Sequence, residues 1–332
     1  GVGEPDFVTP WHIRDAGIYS LEQGHTKYTS NAGMLRLRRE ISAYLERRFD
    51  LHYEYKSQIL VTVGGSEAID AALRVLLEPG DEVIVPTPSF VCYGPLASMA
   101  GGVPIYLELK EENQFRLTAQ ELRSAITPRT KALVLPFPSN PTGGIMGRED
   151  LEAIAEVLRD TDIMVISDEI YAELTYGQKH VSIANIPGMY EHTILVNGFS
   201  KTYAMTGWRM GYVIEAMRNG DKDIEHMRDE YDSRRRFLVE NLNRIGLNCF
   251  EPRGAFYVFP CIRSTGLTSE EFCERFLMEQ KVAVIPGSAF GPGGEGFVRA
   301  CYAASMQDLE EAVSRMETFL EVLGRKQARK GN

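Results

Sequence analysis

Long apolar runs are missing from this sequence: no stretch approaches the ~20 residues a helix needs to cross a bilayer. Cysteine is sparse. Cys92, Cys249, Cys261, Cys273 and Cys301 are scattered without a C-x-x-C pair, which excludes a disulfide framework and suits a reducing cytoplasm. The six histidines offer no H-E-x-x-H and no pair at ligand spacing, so no metal site is expected. Positive charge is in deficit: 36 Lys and Arg stand against 46 Asp and Glu, a net charge of -10. Such a balance argues against a surface built for nucleic-acid phosphates and otherwise speaks mainly of solubility. There are no repeats and no low-complexity segments; only the tail, 325–332, looks frayed. No signal peptide is visible, and because the chain opens at Gly1 rather than Met, sequence before it is expected.

What is present is ordinary globular material, 44% hydrophobic and 25% charged over 332 residues, enough for one large domain and a smaller partner. Between about residues 57 and 215, short β-branched runs alternate with amphipathic helical stretches. Strands are expected at 59–63, 82–85, 103–107, 132–135, 163–167, 193–197 and 211–214, with helices at 66–77, 119–126 and 148–158. This alternation implies an α/β fold whose mostly parallel, seven-stranded sheet is flanked by helices on both faces. Runs such as ALVL (132–135) and IMVI (163–166) have the continuous apolar character of strands buried on both sides. After residue 221 a long charged helix is expected to 245, followed by LNCFEP, AFYVFP, KVAVIP and GFVRACY around a helix at 269–280. That texture reads as a smaller α+β domain. The expected division is a large domain at 13–225 and a small one at 226–332, joined by the segment 1–12. One junction is anomalous: GYVI runs into EAMRNG without a connecting turn, so a segment is expected to be missing between Ile214 and Glu215.

Four segments carry chemistry. In SNPTGG (139–144), Pro and Gly force a turn after an apolar strand, placing Asn140 at a strand's carboxyl end, where α/β sheets bind ligands. A tight loop without function would look the same. In ISDEIY (166–171) a buried strand ends in Asp168 and Glu169, with Tyr171 beyond them. Burying Asp168 costs several kcal/mol unless a cation or donors meet it; a protonated pyridine nitrogen would serve, and so would the cap of a following helix. Tyr171 could donate to a phenolic oxygen on such a ring. In NGFSKTYAMTGWRMG (197–211), Lys201 follows the apolar strand TILVN; lysine amines form Schiff bases where the neutral amine is favoured. Ser200 adds a hydroxyl and Arg209 a planar fork suited to phosphate. In VTVGGSEAIDAALRVLL (61–77), a strand ends at Gly64-Gly65 and a helix follows from Ser66, a start whose backbone N–H groups suit a phosphate.

Together these motifs resemble the class I/II aminotransferases, pyridoxal-phosphate (PLP) enzymes of fold type I, closest to the subgroup of aspartate and aromatic aminotransferases. The resemblance runs from GVGEPDF (1–7) to FVRACYA (297–303). It implies that Lys201 carries PLP as a Schiff base and moves the proton, that Asp168 pairs with the pyridine nitrogen, and that Tyr171 and Asn140 bond the phenolic oxygen. Gly65, Ser66 and Glu67 (by backbone or side chain), Ser200 and Arg209 would form the phosphate cup. Phe90 would stack on the ring, with Tyr93 as the alternative. Arg299 would grip the substrate carboxylate, with Asn140 and Gly3 beside it. Tyr28 would reach the phosphate of a second subunit, making the active unit a homodimer. The implied reaction is ping-pong transfer of an amino group from an L-amino acid, aspartate, aromatic or similar, to a 2-oxo acid such as 2-oxoglutarate, in the cytoplasm. Two departures stand out. Gly198 occupies a position where some members have a hydroxyl, and the anomalous junction falls where the family has further helix and loop.

Three other readings compete. A PLP-dependent C–S β-lyase on the same fold would share the lysine, aspartate and arginine. A nicotinamide dehydrogenase is suggested only by GPGGEG (291–296), which matches G-x-G-x-x-G but contains Pro292 and leads into a strand rather than a helix. A PLP-sensing regulator would need a basic DNA-binding segment, and none is present in this sequence.

Overall fold

The computed structural model describes residues 3–208 and 214–330. Five parallel strands form the central sheet: β1 (Glu82–Thr87), β2 (Val103–Glu108), β3 (Thr130–Leu135), β4 (Met164–Asp168) and β5 (Thr193–Val196), in the order β2-β1-β3-β4-β5. Strand alternation divides their side chains between two cores. Ile84, Leu133, Leu135 and Val165 pack with Leu122 of α5 (Ala119–Ala125) and with Leu151, Ile154 and Leu158 of α6 (Arg148–Leu158). Val83, Val85, Val134, Ile166 and Val196 face the other way, against Ile69 and Leu73 of α3 (Gly65–Leu76) and Ala97 of α4 (Tyr93–Met99). Each side of the pleat thus has its own apolar cover, as a doubly wound parallel sheet requires. The chain passes from β1 to β2 on one side and then back across β1 to β3 on the other, so a crevice opens at the carboxyl ends of the strands where the order reverses.

Two further helices, α1 (Trp11–Glu22) and α2 (Leu35–Phe49), precede the sheet; α7 (Phe199–Thr202) follows β5, and α8 (Ile214–Asn219) leads into α9 (Asp221–Arg244). Beyond α9, the strands β6 (Tyr257–Val258), β7 (Ile285–Pro286) and β8 (Val298–Cys301) make an antiparallel sheet in the order β6-β8-β7. Around it pack α9, α10 (Ser269–Gln280) and α11 (Met306–Lys330), whose Leu238, Phe272, Phe276, Val313 and Phe319 share one core. A capping box starts α10: the Thr268 side chain accepts from Glu271 N–H while Glu271 accepts from Thr268 N–H.

The expected seven strands become five. Residues 59–63 pair with no strand among the described residues, although Val61 N–H donates to Ala32 O at 3.2 Å. Leu60 and Val63 are more than half exposed. A strand is defined by a partner at hydrogen-bonding distance, and here a cavity of about 520 Å3 lies between this segment and β5. Of the other missing strand, 211–213 fall outside the described residues, and Ile214 opens α8. LNCFEP also remains unpaired, whereas the tail expected to fray continues α11 to Lys330, as its helix-favouring composition allows. No described helix is long and apolar enough to cross a membrane.

Candidate active site

The crevice collects one functional side chain from the end of nearly every strand. Asp168 is the last residue of β4 and is buried. Its carboxylate accepts from the Tyr93 hydroxyl at 2.8 Å and from Ile170 N–H at 3.2 Å. Burial pushes its pKa up, opposed by those two donors; no Lys, Arg or His among the described residues pairs with it. Tyr171, three residues on, is buried with its hydroxyl 3.0 Å from that of Tyr257. Burial holds Tyr171 well above the ordinary phenol value, so it stays protonated and able to donate.

Lys201 sits in the short helix α7 just beyond β5. Its Nζ donates to Gly3 O at 2.5 Å and stands 5.8 Å from the centre of the Phe256 ring. Burial lowers the amine's pKa; the Arg299 charge lowers it further, while Cys301 and Glu4 act the other way. An amine in that setting yields its proton more readily than a solvated lysine. The segment that supplies Gly3 is itself tied down: Asp6 accepts from Arg234 of α9 at 2.8 Å, and Thr9 donates to Ala204 O at 2.5 Å.

Arg299, central in β8, faces the same space from the other sheet. It donates to Asn140 Oδ1 at 2.9 Å, and its guanidinium lies 4.6 Å from the Tyr257 ring centre and 5.0 Å from that of Phe290. Because Asn140 accepts from the arginine, its amide nitrogen is left to donate elsewhere.

On the opposite side, α3 starts at Gly65, with Gly64 as N-cap at φ 88°, one residue earlier than expected. Ser66 is therefore inside the helix and does not cap it; its hydroxyl meets the Cys92 thiol, which in turn faces Asp168. The Glu67 carboxylate turns back onto Val63 N–H, where the positive end of the helix dipole favours it. Ser200 lies in the first turn of α7. Phe90 is 38% exposed and meets Tyr93 edge-on at 6.1 Å. Tyr28 is fully exposed in the loop between α1 and α2. Arg209 falls outside the described residues.

Three neighbours escape sequence reasoning. Tyr93 reads there only as a stacking ring, yet its hydroxyl bonds Asp168. Tyr257 and Cys92 carry no signal at all, since one sits in an apolar strand motif and the other is a lone cysteine. At Gly3, expected beside the substrate carboxylate, a built Cβ would fall 2.2 Å from the Tyr257 hydroxyl. A Cβ at Gly198 would meet Ile170 Cδ1 at 2.6 Å, so a side chain there would require the end of Ile170 to shift. The GPGGEG loop leads into β8 with no helix after it, contrary to a dinucleotide fingerprint, and Gly287 and Gly294 pack backbone against backbone beside it.

A known family spans these residues. The family model for aminotransferase class I and II matches residues 1–216 and 213–316. The chain belongs to the class I and II aminotransferases. It is a transaminase, and the cofactor of this family is PLP. An aspartate aminotransferase of Pyrococcus abyssi is 45% identical, with 96% of this chain and 90% of that protein covered. The aromatic-amino-acid aminotransferase 2 of Thermococcus litoralis is 42% identical, over 97% and 91%. The crystal structure of an aromatic aminotransferase from Pyrococcus horikoshii superposes with a TM-score of 0.94 at 43% identity, covering 98% of this chain and 95% of that one. The two matched pieces meet at the anomalous junction, and the alignment with the Pyrococcus abyssi enzyme runs over 352 residues, more than the 332 present here. The relatives therefore carry residues that have no counterpart in this transaminase. The side chains present suit PLP: a buried carboxylate met only by neutral donors, a lysine amine of lowered pKa, and a glycine-led helix start.

Proposed function

We propose that this aminotransferase moves the amino group of aspartate, an aromatic or a similar L-amino acid to a 2-oxo acid such as 2-oxoglutarate, in a ping-pong cycle with PLP held covalently by Lys201. The observation that carries the reading is the Lys201 amine, half-buried, of lowered pKa and 2.5 Å from Gly3 O, in the same crevice as Asp168 and Arg299. PLP supplies a cationic ring that draws off the electron pair left when an α-proton departs. Every other part falls to the chain. Asp168 holds the ring nitrogen's proton, and the opposite charge offsets the cost of burying its carboxylate. Tyr171 and the Asn140 amide nitrogen donate to the phenolic oxygen. Backbone N–H groups at Gly65, Ser66 and Glu67 meet the phosphate, with the hydroxyls of Ser66 and Ser200 and the Arg209 guanidinium. The Glu67 carboxylate, turned toward Val63, is kept out of that cup. Phe90 covers the ring face.

Arg299 takes the substrate α-carboxylate in its fork, with Asn140 and Gly3 alongside. With PLP bound and the lysine freed from it by the incoming amine, the Lys201 Nζ would take up the α-proton and deliver it on the far side of the amino nitrogen, a 1,3-shift. Tyr28, fully exposed in its own subunit, completes the phosphate site of a second copy, so the working unit is a homodimer. We divide the chain into a large cofactor domain at 13–225 and a small domain at 226–332, joined by 1–12. Five free cysteines favour the cytoplasm as its place of work.

The test is the absorption spectrum of PLP-loaded protein, titrated with single L-amino acids and no acceptor. Conversion of the lysine-bound band by aspartate or phenylalanine, reversed by 2-oxoglutarate, is the expected result. Persistence of the band with release of pyruvate or ammonia would replace transfer by β-elimination.

A further inference from the structure

Tyr257 touches more of the site's working groups than any assigned role accounts for. Its hydroxyl lies 3.0 Å from that of Tyr171, and its ring centre 4.6 Å from the Arg299 guanidinium. The same hydroxyl is what a Cβ at Gly3 would strike, at 2.2 Å. It is fully buried in β6, whose partner β8 carries Arg299, with Tyr257 opposite Cys301. One aromatic side chain therefore joins the residue expected to face the cofactor's phenolic oxygen to the residue expected to face the substrate carboxylate.

We propose that Tyr257 is a positioning residue with two separable roles: its hydroxyl orients and polarises Tyr171, and its ring is the shelf that holds the Arg299 fork in place. The inference rests on the assignment of PLP to this site.

The hydroxyl role comes from donor counting. Each phenol has one proton. If Tyr171 spends its proton on the cofactor's oxygen, the 3.0 Å contact must be donated by Tyr257, which leaves Tyr171 a stronger donor because hydrogen bonds in a chain polarise one another. Burial raises Tyr257 above the ordinary phenol range, so that proton is retained. The titratable and charged groups facing Tyr257 are Tyr171, Arg299 and Cys301, with Asp168 behind Tyr171. The ring role comes from geometry: a guanidinium over an aromatic face is attracted to its quadrupole, and more so when both are withdrawn from water. With Asn140 Oδ1 on one side and the ring beneath, the fork of Arg299 is oriented before any substrate arrives.

The two roles predict different failures. The proton shared between the Lys201 nitrogen and the phenolic oxygen is held less tightly when that oxygen receives a strong hydrogen bond. Tyr257→Phe weakens the bond and should raise the pH midpoint of the bound cofactor's absorption change by ~0.5 unit, the share that polarisation adds to a bond with a charged acceptor. The same variant keeps the ring, so KM for the amino acid should stay within about twofold of wild type. Tyr257→Leu removes ring and hydroxyl together and should also raise KM about five- to thirtyfold.

The experiment is a spectrophotometric pH titration of the PLP-loaded wild type, Tyr257→Phe, Tyr171→Phe and the double Phe variant, with KM measured for Tyr257→Phe and Tyr257→Leu. We expect Tyr257→Phe to shift the midpoint alone and to shift nothing further in the Tyr171→Phe background. An unshifted midpoint, or an equal shift in both backgrounds, overturns the relay. A raised KM in Tyr257→Phe, or an unchanged one in Tyr257→Leu, overturns the shelf. If Tyr257→Leu does not fold, Tyr257→Phe still decides the relay, and Tyr257→Met, which also lacks the ring, takes over the test of the shelf. A wild type that shows no lysine-bound cofactor band overturns the cofactor assignment itself, a failure visible before any variant is compared.

Discussion

Removing the guanidinium of Arg48 should expose how strongly the active-site turn after β4 is anchored to the N-terminal helices. Arg48, in α2, makes a two-pronged contact with Glu173: Nη2 to Oε2 at 2.6 Å and Nε to Oε1 at 2.9 Å. The Tyr44 hydroxyl donates to the same carboxylate at 2.6 Å. Glu173 lies two residues beyond Tyr171, and its side chain is only 6% exposed, against 19% for Arg48. Arg48→Met leaves a buried carboxylate with a single neutral donor, and breaking a buried pair in this one-sided way costs about 3–5 kcal/mol. Because some water reaches Arg48, the lower end applies, ~3 kcal/mol. At ~2.1 cal/mol/K of unfolding entropy per residue, that loss lowers the melting temperature of a chain this long by roughly 4 °C. The assay is urea and thermal unfolding of the apoprotein followed by circular dichroism. A companion variant isolates the charge: Glu173→Gln in the Arg48→Met background still accepts from Tyr44 but carries no buried charge, so it should recover at least half of the loss. A single-variant loss below ~1 kcal/mol, or no recovery from the glutamine, would refute the reasoning, because the cost would then not be that of an unpaired buried carboxylate.

Three further outcomes are expected. Gly3→Ala drives a methyl toward the Tyr257 hydroxyl and should lower kcat/KM at least about tenfold; Tyr257→Phe, which vacates that space, should restore part of the loss in the double variant. Arg299→Lys keeps the charge but loses the fork and the ring contact, so KM for the amino acid should rise about tenfold to a hundredfold. His12 lies between Asp223 and Glu215, at 2.9 and 3.2 Å; burial alone would lower its pKa, but the two carboxylates outweigh that and raise it above 6.5. A raised folded value means the contribution is full below pH 6.5 and lost as pH climbs through the folded pKa. The protection factors of α1 amides, that is, exchange corrected for its intrinsic base-catalysed rise, should therefore fall on going from acid to alkaline pH in the wild type and lose that dependence in His12→Gln.

The chemistry-bearing residues were legible because they are local consequences of chain order. Asn140, Asp168 and Lys201 each come at or just after a continuous apolar run, and a run buried on both faces of a parallel sheet must deliver the next residues to the carboxyl edge. Helix α6, at Arg148–Leu158, and α10, at Ser269–Gln280, could likewise be read to the residue, since each has its own period and its own start signal. Pairing is another matter. The β-branched run at 59–63 has strand composition yet stays unpaired, because a strand needs a neighbour and its neighbour is set by the whole fold. Sequence favoured Phe90 over Tyr93 for the ring, but that the Tyr93 hydroxyl reaches Asp168 is decided only by the turn after β1. That Gly3 lies against the Tyr257 hydroxyl was not legible, since Tyr257 stands 254 residues away in sequence. Sequence by itself indicated that Asn140, Asp168 and Lys201 reach the crevice, because strand ends are local, but gave no sign of Tyr257 or Cys92. Only the tertiary structure decided which of those groups touch one another, because contacts between Gly3, Tyr171, Tyr257 and Arg299 exist only after two sheets and the N-terminal segment have come together.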